Sequence, residues 1–359
     1  MRMLLAGGGT GGHLFPAVAL AQRLLETDKT AQVLFVGTAA GIESTVIPEL
    51  GLPLETIQIS GIAGRSWGER VRIIPALWKS VQQSQSILKK FQPDVVVGVG
   101  GYASGPALLA AKLSGIPFLI HEQNAQFGMT NKFLARWAQR ICISFPMRSE
   151  SQLPRARTVL TGNPVRAGIA EVGPIPENKQ TLLVFGGSRG AQAINDAVVA
   201  ALSELKSHCP DLHIIHQTGQ TDYERICSAY RSLGMSTEGI TPFIHDMANA
   251  YSAAHLVLCR SGATTLAELT VAGRPAVLIP YPHAAADHQT SNARILANQG
   301  AAMLLPQSEL TATNLATLLN QLLNDRPTLL QMAQISRSLG QPAAVDKLLA
   351  ECRSIARKG

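Results

Sequence analysis

Short apolar runs alternate with longer amphipathic segments along the whole 359-residue chain. Strands rich in Val, Leu and Ile are typical of parallel sheets covered on both faces, and the intervening segments are long enough to form crossover helices. The pattern therefore predicts a doubly wound α/β fold. The expected strands lie near residues 3–6, 32–36, 54–58, 94–98, 117–121 and 140–144, and then near 181–186, 212–216, 240–244, 256–259, 276–279 and 301–304.

A segment rich in glycine and proline, beginning at residues 162–166, interrupts both periodicities between the two halves. A chain of this length is also too long for one ordinary hydrophobic core. We therefore expect an N-terminal Rossmann-like domain over residues 1–163 and a C-terminal one over 164–340. A C-terminal helix over 341–359 is expected to pack back on the N-terminal domain.

Each half opens with a strand that runs into a glycine-rich turn and then a helix, at residues 4–13 and again at 182–190. Glycines let the backbone approach a phosphate, and a helix N-terminus offers N–H groups and partial positive charge. The competing interpretation, tight turns alone, is weaker for two loops in register than for one. The pattern predicts two Rossmann-like domains that face each other across a cleft, with ligands at the carboxyl ends of both sheets.

Candidate chemistry in the first half follows the ends of its strands. His13 lies at a helix N-terminus, where the dipole disfavours imidazolium, so it is a candidate base or a phosphate ligand. A second glycine loop carries Gly101, Tyr102 and Ser104 and is another candidate anion site. The polar string 121–124 suits recognition of hydroxyl groups, although local capping of the next loop is an alternative.

In the second half, the strand at 256–259 leads into a helix that begins near residue 263. Glu268 follows Thr264 by four residues, so both side chains share one helix face near its N-terminus. A carboxylate there can accept both ribose hydroxyls while the preceding N–H groups hold a diphosphate. The alternative is a glutamate that only caps its helix.

Two further polar residues are candidate site residues in the second half. Asp287 is a candidate helix N-cap, and Gln289 is a candidate ligand for sugar hydroxyls. His213 and His216 are three residues apart in a strand and point to opposite faces, so we expect no metal site.

The net charge of +7 favours anionic partners, and no nucleic-acid-binding motif accompanies it. Residues 65–91 carry six basic residues against one acid, on a helix whose apolar arc is wider than burial requires. This composition suits docking on an anionic membrane, whereas the alternative is a core helix with a solvated basic face. The residues expected to contact the membrane are Arg72, Ile73, Ile74, Trp78 and Lys79. No apolar run approaches the length of a membrane span.

Taken together, seven motifs in this order resemble the MurG family of GT-B type glycosyltransferases over nearly the entire chain. The motifs lie at residues 9–13, 100–102, 121–124, 162–166, 186–188, 260–263 and 287–289. The resemblance implies inverting transfer of N-acetylglucosamine from UDP-N-acetylglucosamine (UDP-GlcNAc) to lipid I, forming lipid II for peptidoglycan synthesis. It also implies a role in cell shape and division, a peripheral position on the cytoplasmic face of the inner membrane, and a cell-wall synthesis complex as partner.

The resemblance assigns site residues as well. His13 is the expected base and Glu122 the alternative, while His13, Gly101, Tyr102 and Ser104 are expected near the acceptor and its diphosphate. Glu268 is expected on the ribose, the Ile244 backbone on uracil, and no cofactor or obligatory metal is implied. The expected contacts to UDP-GlcNAc are Thr10, Gly11, Gly12, Asn124, Arg166, Ser188, Ile244, Ala263, Thr264, Thr265, Leu266, Ala267, Glu268 and Gln289.

Other functions remain as alternatives. A related enzyme that glycosylates diacylglycerol would share the architecture and the membrane surface, but the polar string 121–124 argues against it. A UDP-GlcNAc 2-epimerase also has twin Rossmann domains, yet it needs no basic apolar segment such as 65–91. A nucleotide-sugar sensor without catalytic activity is the third alternative.

Overall fold

The computed structural model describes residues 1–59, 67–146, 154–177, 180–187 and 190–357. Ser188 and the side chains of Arg72, Ile73 and Ile74 lie outside the described part, and so do the expectations attached to them. The chain forms two compact units. Unit 1 comprises Met1–Val165 together with Ala343–Gly359, and unit 2 comprises Arg166–Pro342.

Unit 1 is built on a seven-stranded sheet in the order β3-β2-β1-β4-β5-β6-β7. Every neighbouring pair is parallel. The strands are β1 (Arg2–Ala6), β2 (Gln32–Gly37), β3 (Leu54–Thr56), β4 (Val95–Gly98), β5 (Phe118–Glu122), β6 (Arg140–Ile143) and β7 (Thr158–Leu160). Its helices are α1 (Gly11–Thr27), α2 (Glu43–Glu49), α3 (Trp67–Phe91), α4 (Ser104–Leu113), α5 (Met129–Leu134) and, from the end of the chain, α13 (Ala344–Ile355).

The central strand β1 supplies both faces of the unit 1 core. Leu4 and Ala6 pack in one apolar cluster, whereas Met3 and Leu5 pack in another that includes the α13 residue Leu348. This alternation follows from the two-residue period of a strand buried on both faces. Two ion pairs hold α13 on this unit, Arg23 to Asp346 at 2.7 Å and Arg140 to Glu351 at 2.8 Å.

Unit 2 repeats the plan with a six-stranded sheet in the order β10-β9-β8-β11-β12-β13, again parallel throughout. Its strands are β8 (Thr181–Phe185), β9 (His213–Gln217), β10 (Ile240–Thr241), β11 (Leu256–Cys259), β12 (Ala276–Leu278) and β13 (Ala302–Leu304). Its helices are α6 (Gln192–His208), α7 (Tyr223–Ser232), α8 (Met247–Ala253), α9 (Ala263–Ala272), α10 (His288–Gln299), α11 (Ala312–Leu323) and α12 (Arg326–Ser338).

Both sheets reverse their direction of winding beside the first strand. In unit 1 the reversal lies between β1 and β4, and in unit 2 between β8 and β11. Loops that leave the two sides of such a switch point diverge and create the crevice where open α/β sheets bind ligands. The glycine loops identified in the sequence follow these strands.

All twelve expected strands are present in the expected order, with two differences. Strand β10 is only two residues long, and β7 was not expected. Strand β7 contains no run of apolar residues because it lies at the edge of its sheet, where its side chains are only partly buried or exposed. Among the described residues, no helix has both the length and the apolar content that a membrane crossing requires.

Candidate active site

The first glycine loop of unit 1 joins β1 to α1 and uses its own N–H groups internally. Gly7, Gly8 and Gly9 have φ values of 145°, 143° and 83°, which favour glycine. The Gly7 N–H donates to the Val36 carbonyl at 3.1 Å, and the Gly8 N–H donates to the Gly100 carbonyl at 3.3 Å. The Gly9 N–H donates to Glu43 Oε2 at 2.7 Å. These three glycines therefore do not offer their N–H groups to a phosphate.

His13 occupies the first turn of α1, as expected. Its Nδ1 lies 3.0 Å from Thr10 Oγ1, and Thr10 is the N-cap residue of the helix. In the tautomer that carries the proton on Nδ1, the ring donates to Thr10 and Nε2 becomes the basic atom. The ring also lies against Gly100, where a Cβ would approach the imidazole Cδ2 to 2.9 Å. The two glycine loops of unit 1 thus meet at His13.

The loop after β4 contains the expected acceptor residues. Gly100 and Gly101 have positive φ values, Tyr102 is exposed, and Ser104 begins helix α4. The Ser104 side chain is fully buried, and within the described residues its Oγ has no hydrogen-bond partner. A helix N-terminus with an unsatisfied hydroxyl beside it is suited to an anion.

Glu122, the alternative base, is 2% exposed and accepts four hydrogen bonds. Its Oε1 accepts from the Asn124 backbone and side chain at 3.1 and 3.3 Å, and its Oε2 accepts from Gly128 N at 3.1 Å and Asn131 Nδ2 at 2.9 Å. Burial raises the pKa of Glu122, and these hydrogen bonds oppose the increase. The carboxyl group organises the loop between β5 and α5, which is the capping alternative raised from the sequence.

His121 is fully buried beside this group. Burial lowers its pKa to about 4, the Gly162 carbonyl opposes that change, and the charge of a nearby protonated His13 would add to it. The ring is therefore neutral. Its Nε2 donates to the Gly162 carbonyl at 3.1 Å, and its Nδ1 accepts from Gln123 Nε2 at 3.2 Å.

In unit 2, the side chain of Gln217 connects the glycine loop to the expected uracil-binding segment. Gln217 is buried at the end of β9. Its Nε2 donates to the Gly187 carbonyl at 2.8 Å, and its Oε1 accepts from the Ile244 N–H at 2.9 Å. Because the Ile244 N–H is engaged, the Ile244 carbonyl is the backbone atom left to contact a base there.

Glu268 is the most strongly held carboxylate of unit 2. Arg166 donates to it through both arms, Nε to Oε1 at 2.6 Å and Nη2 to Oε2 at 2.7 Å, and the Tyr251 hydroxyl donates to Oε2 at 3.2 Å. Burial lowers the pKa of Arg166, but the contacts with Glu268 outweigh it and the pKa is raised. Burial and then the charge of Glu268 raise the pKa of Tyr251 well above its usual value. Glu268 is thus ion-paired, rather than a cap of its helix.

Helix α9, which carries Thr264, Thr265 and Glu268, begins at Ala263 behind the N-cap Gly262. Gln289 lies near the start of α10, where its Oε1 accepts from the Tyr281 N–H at 2.9 Å. Asp287 is the N-cap residue of α10, but its carboxylate accepts from the Thr290 hydroxyl at 2.6 Å and makes no side-chain bond to a helix N–H. The N-cap position is confirmed, and the usual capping bond is absent.

The site residues expected from the sequence form one set at the carboxyl edge of each sheet. In unit 1 they follow β1, β4 and β5. In unit 2 most of them follow β10, β11 and β12, and Arg166 is the first residue of the unit. Sequence reasoning missed Glu43, Gln217 and Tyr251. An acid after the second strand is a familiar Rossmann signal and could have drawn attention to Glu43, whereas Tyr251 carried no signal in the sequence.

Comparisons with known proteins agree with this architecture. Residues 3–143 match the glycosyltransferase family 28 N-terminal domain, and residues 181–348 match the family 28 C-terminal domain. A crystal structure of MurG from Acinetobacter baumannii is 35% identical with a TM-score of 0.80, covering 98% of this chain and 99% of that one. A putative UDP-N-acetylglucosamine 2-epimerase from Listeria monocytogenes has a TM-score of 0.65 over 97% of this chain and 94% of its own, but at 14% identity it shares only the fold.

Two curated relatives carry the same name, UDP-N-acetylglucosamine–N-acetylmuramyl-(pentapeptide) pyrophosphoryl-undecaprenol N-acetylglucosamine transferase. The one from Syntrophotalea carbinolica is 56% identical over 99% of both chains, and the one from Thermodesulfovibrio yellowstonii is 43% identical over 100% of both. Two parallel-sheet units with family 28 domains define a GT-B type glycosyltransferase. Within that class, the chain belongs to the MurG family.

Proposed function

We propose a division of roles between the two units of this N-acetylglucosaminyltransferase. The enzyme transfers N-acetylglucosamine from UDP-GlcNAc to lipid I, undecaprenyl-diphosphate-N-acetylmuramoyl-pentapeptide, and forms lipid II for peptidoglycan synthesis. The observation that carries this function is the 56% identity over 99% of both chains to a transferase of that name. Unit 2 is proposed to hold most of the donor, and unit 1 the acceptor.

His13 is proposed as the general base. The reaction needs a group that removes the proton from the muramoyl 4-hydroxyl as this oxygen attacks the anomeric carbon and UDP leaves. A neutral imidazole at a helix N-terminus, oriented by Thr10 through Nδ1, meets that need. Glu122 is less suited because its oxygens already accept four hydrogen bonds within the loop. We assign it the role of holding Asn124 in place.

The donor contacts are proposed to centre on α9 and Glu268. The carboxylate already accepts three hydrogen bonds from Arg166 and Tyr251, so of its roughly four lone-pair sites one, on Oε1, is left to accept a ribose hydroxyl. The N-terminus of α9, with Thr264 and Thr265, can stabilise the diphosphate as UDP departs, so a divalent ion is not expected to be obligatory. Loss of activity in EDTA with recovery on adding magnesium would contradict that expectation.

The acceptor diphosphate is proposed to bind at the N-terminus of α4. Gly101, Tyr102 and Ser104 lie there, and the buried Ser104 hydroxyl is without a partner among the described residues. The three N–H groups of Gly7–Gly9 are engaged within the protein, which favours the second glycine loop of unit 1 over the first for this role.

Unit 1 is also proposed to dock on an anionic membrane, at the cytoplasmic face of the inner membrane. Trp78 is 56% exposed on α3 beside the exposed Lys79. On α5, the 50% exposed Phe133 stacks edge-on against Trp137 at 5.3 Å, and the Arg136 guanidinium lies 4.4 Å from the Phe133 ring centroid. Apolar side chains flanked by basic ones are suited to shallow insertion among anionic headgroups. Partners in a cell-wall synthesis complex stay a prediction.

Vesicle sedimentation tests this membrane proposal. Trp78→Ser, alone and with Ile73→Ser, should weaken binding to vesicles that contain anionic lipid by several-fold. Leu330→Ser is the matched control, because Leu330 is 44% exposed on unit 2. Unchanged binding of the double variant would refute the docking role of α3.

One transfer assay tests the proposed reaction. The protein is incubated with radiolabelled UDP-GlcNAc and lipid I, diacylglycerol or no acceptor. Label is expected in lipid II only. Label in diacylglycerol, or conversion of the free sugar nucleotide to its 2-epimer, would favour one of the alternative functions instead.

A further inference from the structure

A buried carboxylate lies beneath the first glycine loop of unit 1. It belongs to Glu43, the first residue of α2, and Glu43 is only 1% exposed. Its oxygens accept from Gly9 N at 2.7 Å, Thr38 N at 2.8 Å and Thr38 Oγ1 at 2.9 Å. All three contacts are donors, so the group acts as an ionised acceptor. Burial raises the pKa of Glu43, but these hydrogen bonds outweigh it and the pKa is lowered.

Three glycines make room for this carboxyl group. A Cβ at Gly8, Gly37 or Gly41 would overlap the Glu43 side chain. Gly37 and Gly41 do not have positive φ values, so backbone conformation does not explain glycine at these two positions. The close approach of the Glu43 side chain does, and the sequence around β2 is thus shaped to hold a carboxylate against the loop.

The position of Glu43 after the second strand indicates what its contact with the Gly9 N–H does. In dinucleotide-binding Rossmann folds, an acid that follows the second strand faces outward to a ribose, and the glycine loop offers its N–H groups to phosphate. Here the acid turns inward and takes the Gly9 N–H itself. The Glu43 carboxylate therefore takes an N–H group that such a loop would otherwise offer to a ligand anion.

We propose that Glu43 is a built-in anion that fixes the first glycine loop, positions Thr10 and His13 for the transfer reaction, and keeps phosphate groups off this loop. Gly9 precedes Thr10, whose hydroxyl contacts His13 Nδ1, so two short steps connect the carboxylate to the base. A displacement of the base by about 1 Å can reduce the rate about 100-fold. Glu43 is a positioning residue, and its role rests on the proposed function of His13.

The test compares Glu43→Gln, Glu43→Ala and the control Glu49→Gln, which removes an exposed carboxylate from the same helix. In Glu43→Gln, the amide presents its NH₂ to donors. We expect kcat to fall about 10- to 100-fold, with KM for UDP-GlcNAc within about threefold of the wild type. UDP binding by calorimetry and cooperative thermal unfolding should be preserved. Glu49→Gln should behave as the wild type.

Chemical rescue separates a positioning anion from a residue that only fills space. Glu43→Ala leaves a cavity lined by the donors of Gly9 and Thr38, so added formate or acetate should restore kcat several-fold. Inorganic phosphate should inhibit this variant more strongly than the wild type. Absence of rescue by either carboxylate, together with an unchanged phosphate sensitivity, would overturn the proposal.

The remaining outcomes are also decisive. Wild-type kcat in Glu43→Gln, while His13→Ala loses activity, would refute the role of Glu43 alone. Full activity in both variants would instead refute the proposed function of His13. Loss of UDP binding and of cooperative unfolding in Glu43→Gln would show that the residue supports the whole fold rather than the loop, and would equally refute the positioning role.

Discussion

In both units a glycine-rich loop follows the first strand of the sheet, but the described parts of the two loops are held by side chains of different charge. In unit 1, the Glu43 carboxylate accepts the Gly9 N–H. In unit 2, the Gln217 amide donates to the Gly187 carbonyl and accepts from the Ile244 N–H. Both side chains follow, or end, the second strand of their sheet.

We expect this difference in charge to affect which ligands each loop can accept. A carboxylate about 5 Å from a phosphate charge would repel it by about 3 kcal/mol at an effective dielectric constant near 20. The neutral amide in unit 2 adds no such penalty, so that loop remains compatible with a diphosphate. On this proposal, the strand, glycine loop and helix motif does not specify a ligand by itself, because the charge of one neighbouring side chain changes which ligand the loop prefers.

The largest effect that tests this comparison is expected at His13, on the loop held by the carboxylate. His13→Ala should lower kcat by about 10²- to 10⁴-fold, the usual contribution of a general base, with little change in UDP binding. Steady-state kinetics over pH should also lose the acidic limb that reports the base. If turnover stays near normal while the KM for lipid I rises, His13 is an acceptor ligand and the loop has a binding role.

Low pH should decrease the free energy of unfolding of both units, because each unit contains one buried histidine whose pKa is lowered. Burial lowers the pKa of His121 and of His216 to about 4. Since the unfolded value is about 6.5, the unfolded chain binds more protons between these pH values. The contribution of each histidine to the free energy of unfolding is therefore fully present above pH 6.5. It is lost as the pH falls towards 4, by up to about 3 kcal/mol for each histidine.

Urea unfolding at pH 7.5 and pH 4.5 measures this loss in the wild type, His121→Asn and His216→Asn. Each variant should be less stable than the wild type at pH 7.5, because the hydrogen bonds of the ring are lost. Each should also show a smaller decrease between the two pH values. An undiminished decrease in His216→Asn would mean that unit 2 does not share this pH dependence with unit 1.

A substitution of Glu268 tests the proposed role of unit 2 in binding the donor UDP-GlcNAc. Glu268→Gln keeps the shape of the side chain but cannot accept from both arms of Arg166, so a buried charge-assisted pair is lost. The kcat/KM for UDP-GlcNAc should fall about 10- to 100-fold, matching about 1.5–3 kcal/mol for hydrogen bonds to charged groups. Tyr251→Phe should show a smaller decrease, and Glu309→Gln, exposed on the same unit, should show none. Equal kinetics in Glu268→Gln and the wild type would remove the carboxylate from the donor site.

The fold was largely predictable from the sequence because parallel strands buried on both faces are continuous apolar runs. Strand β7 was not predicted because an edge strand of three residues has no such apolar run. Its first residue also follows the basic residues Arg155 and Arg157.

The candidate site was predictable where chemistry follows strand ends and not where it depends on tertiary contacts. The positions of His13, Glu122 and Glu268 could be inferred from motif order. The partners that fix them could not: the pairing of Arg166 with Glu268 spans 102 residues, and that of Gly9 with Glu43 spans 34. Only folding brings such donors and acceptors together, so the sequence indicated candidate site residues but not the side chains that hold them in place.

Gln217 provides the smallest expected effect and the most direct test of the comparison. Gln217→Leu removes two hydrogen bonds and should weaken UDP binding about threefold to tenfold, near 1 kcal/mol. Gln217→Glu removes the same donation to Gly187 and adds a negative charge beneath the loop, so it should bind UDP more weakly still. Calorimetry at low and moderate salt should show that the difference in UDP affinity between the two variants becomes smaller as the salt concentration rises, because salt screens the added charge. Equal UDP affinity in the two variants would mean that the charge of the side chain beneath a glycine loop does not govern its ligand, and the contrast between Glu43 and Gln217 would lose its explanation.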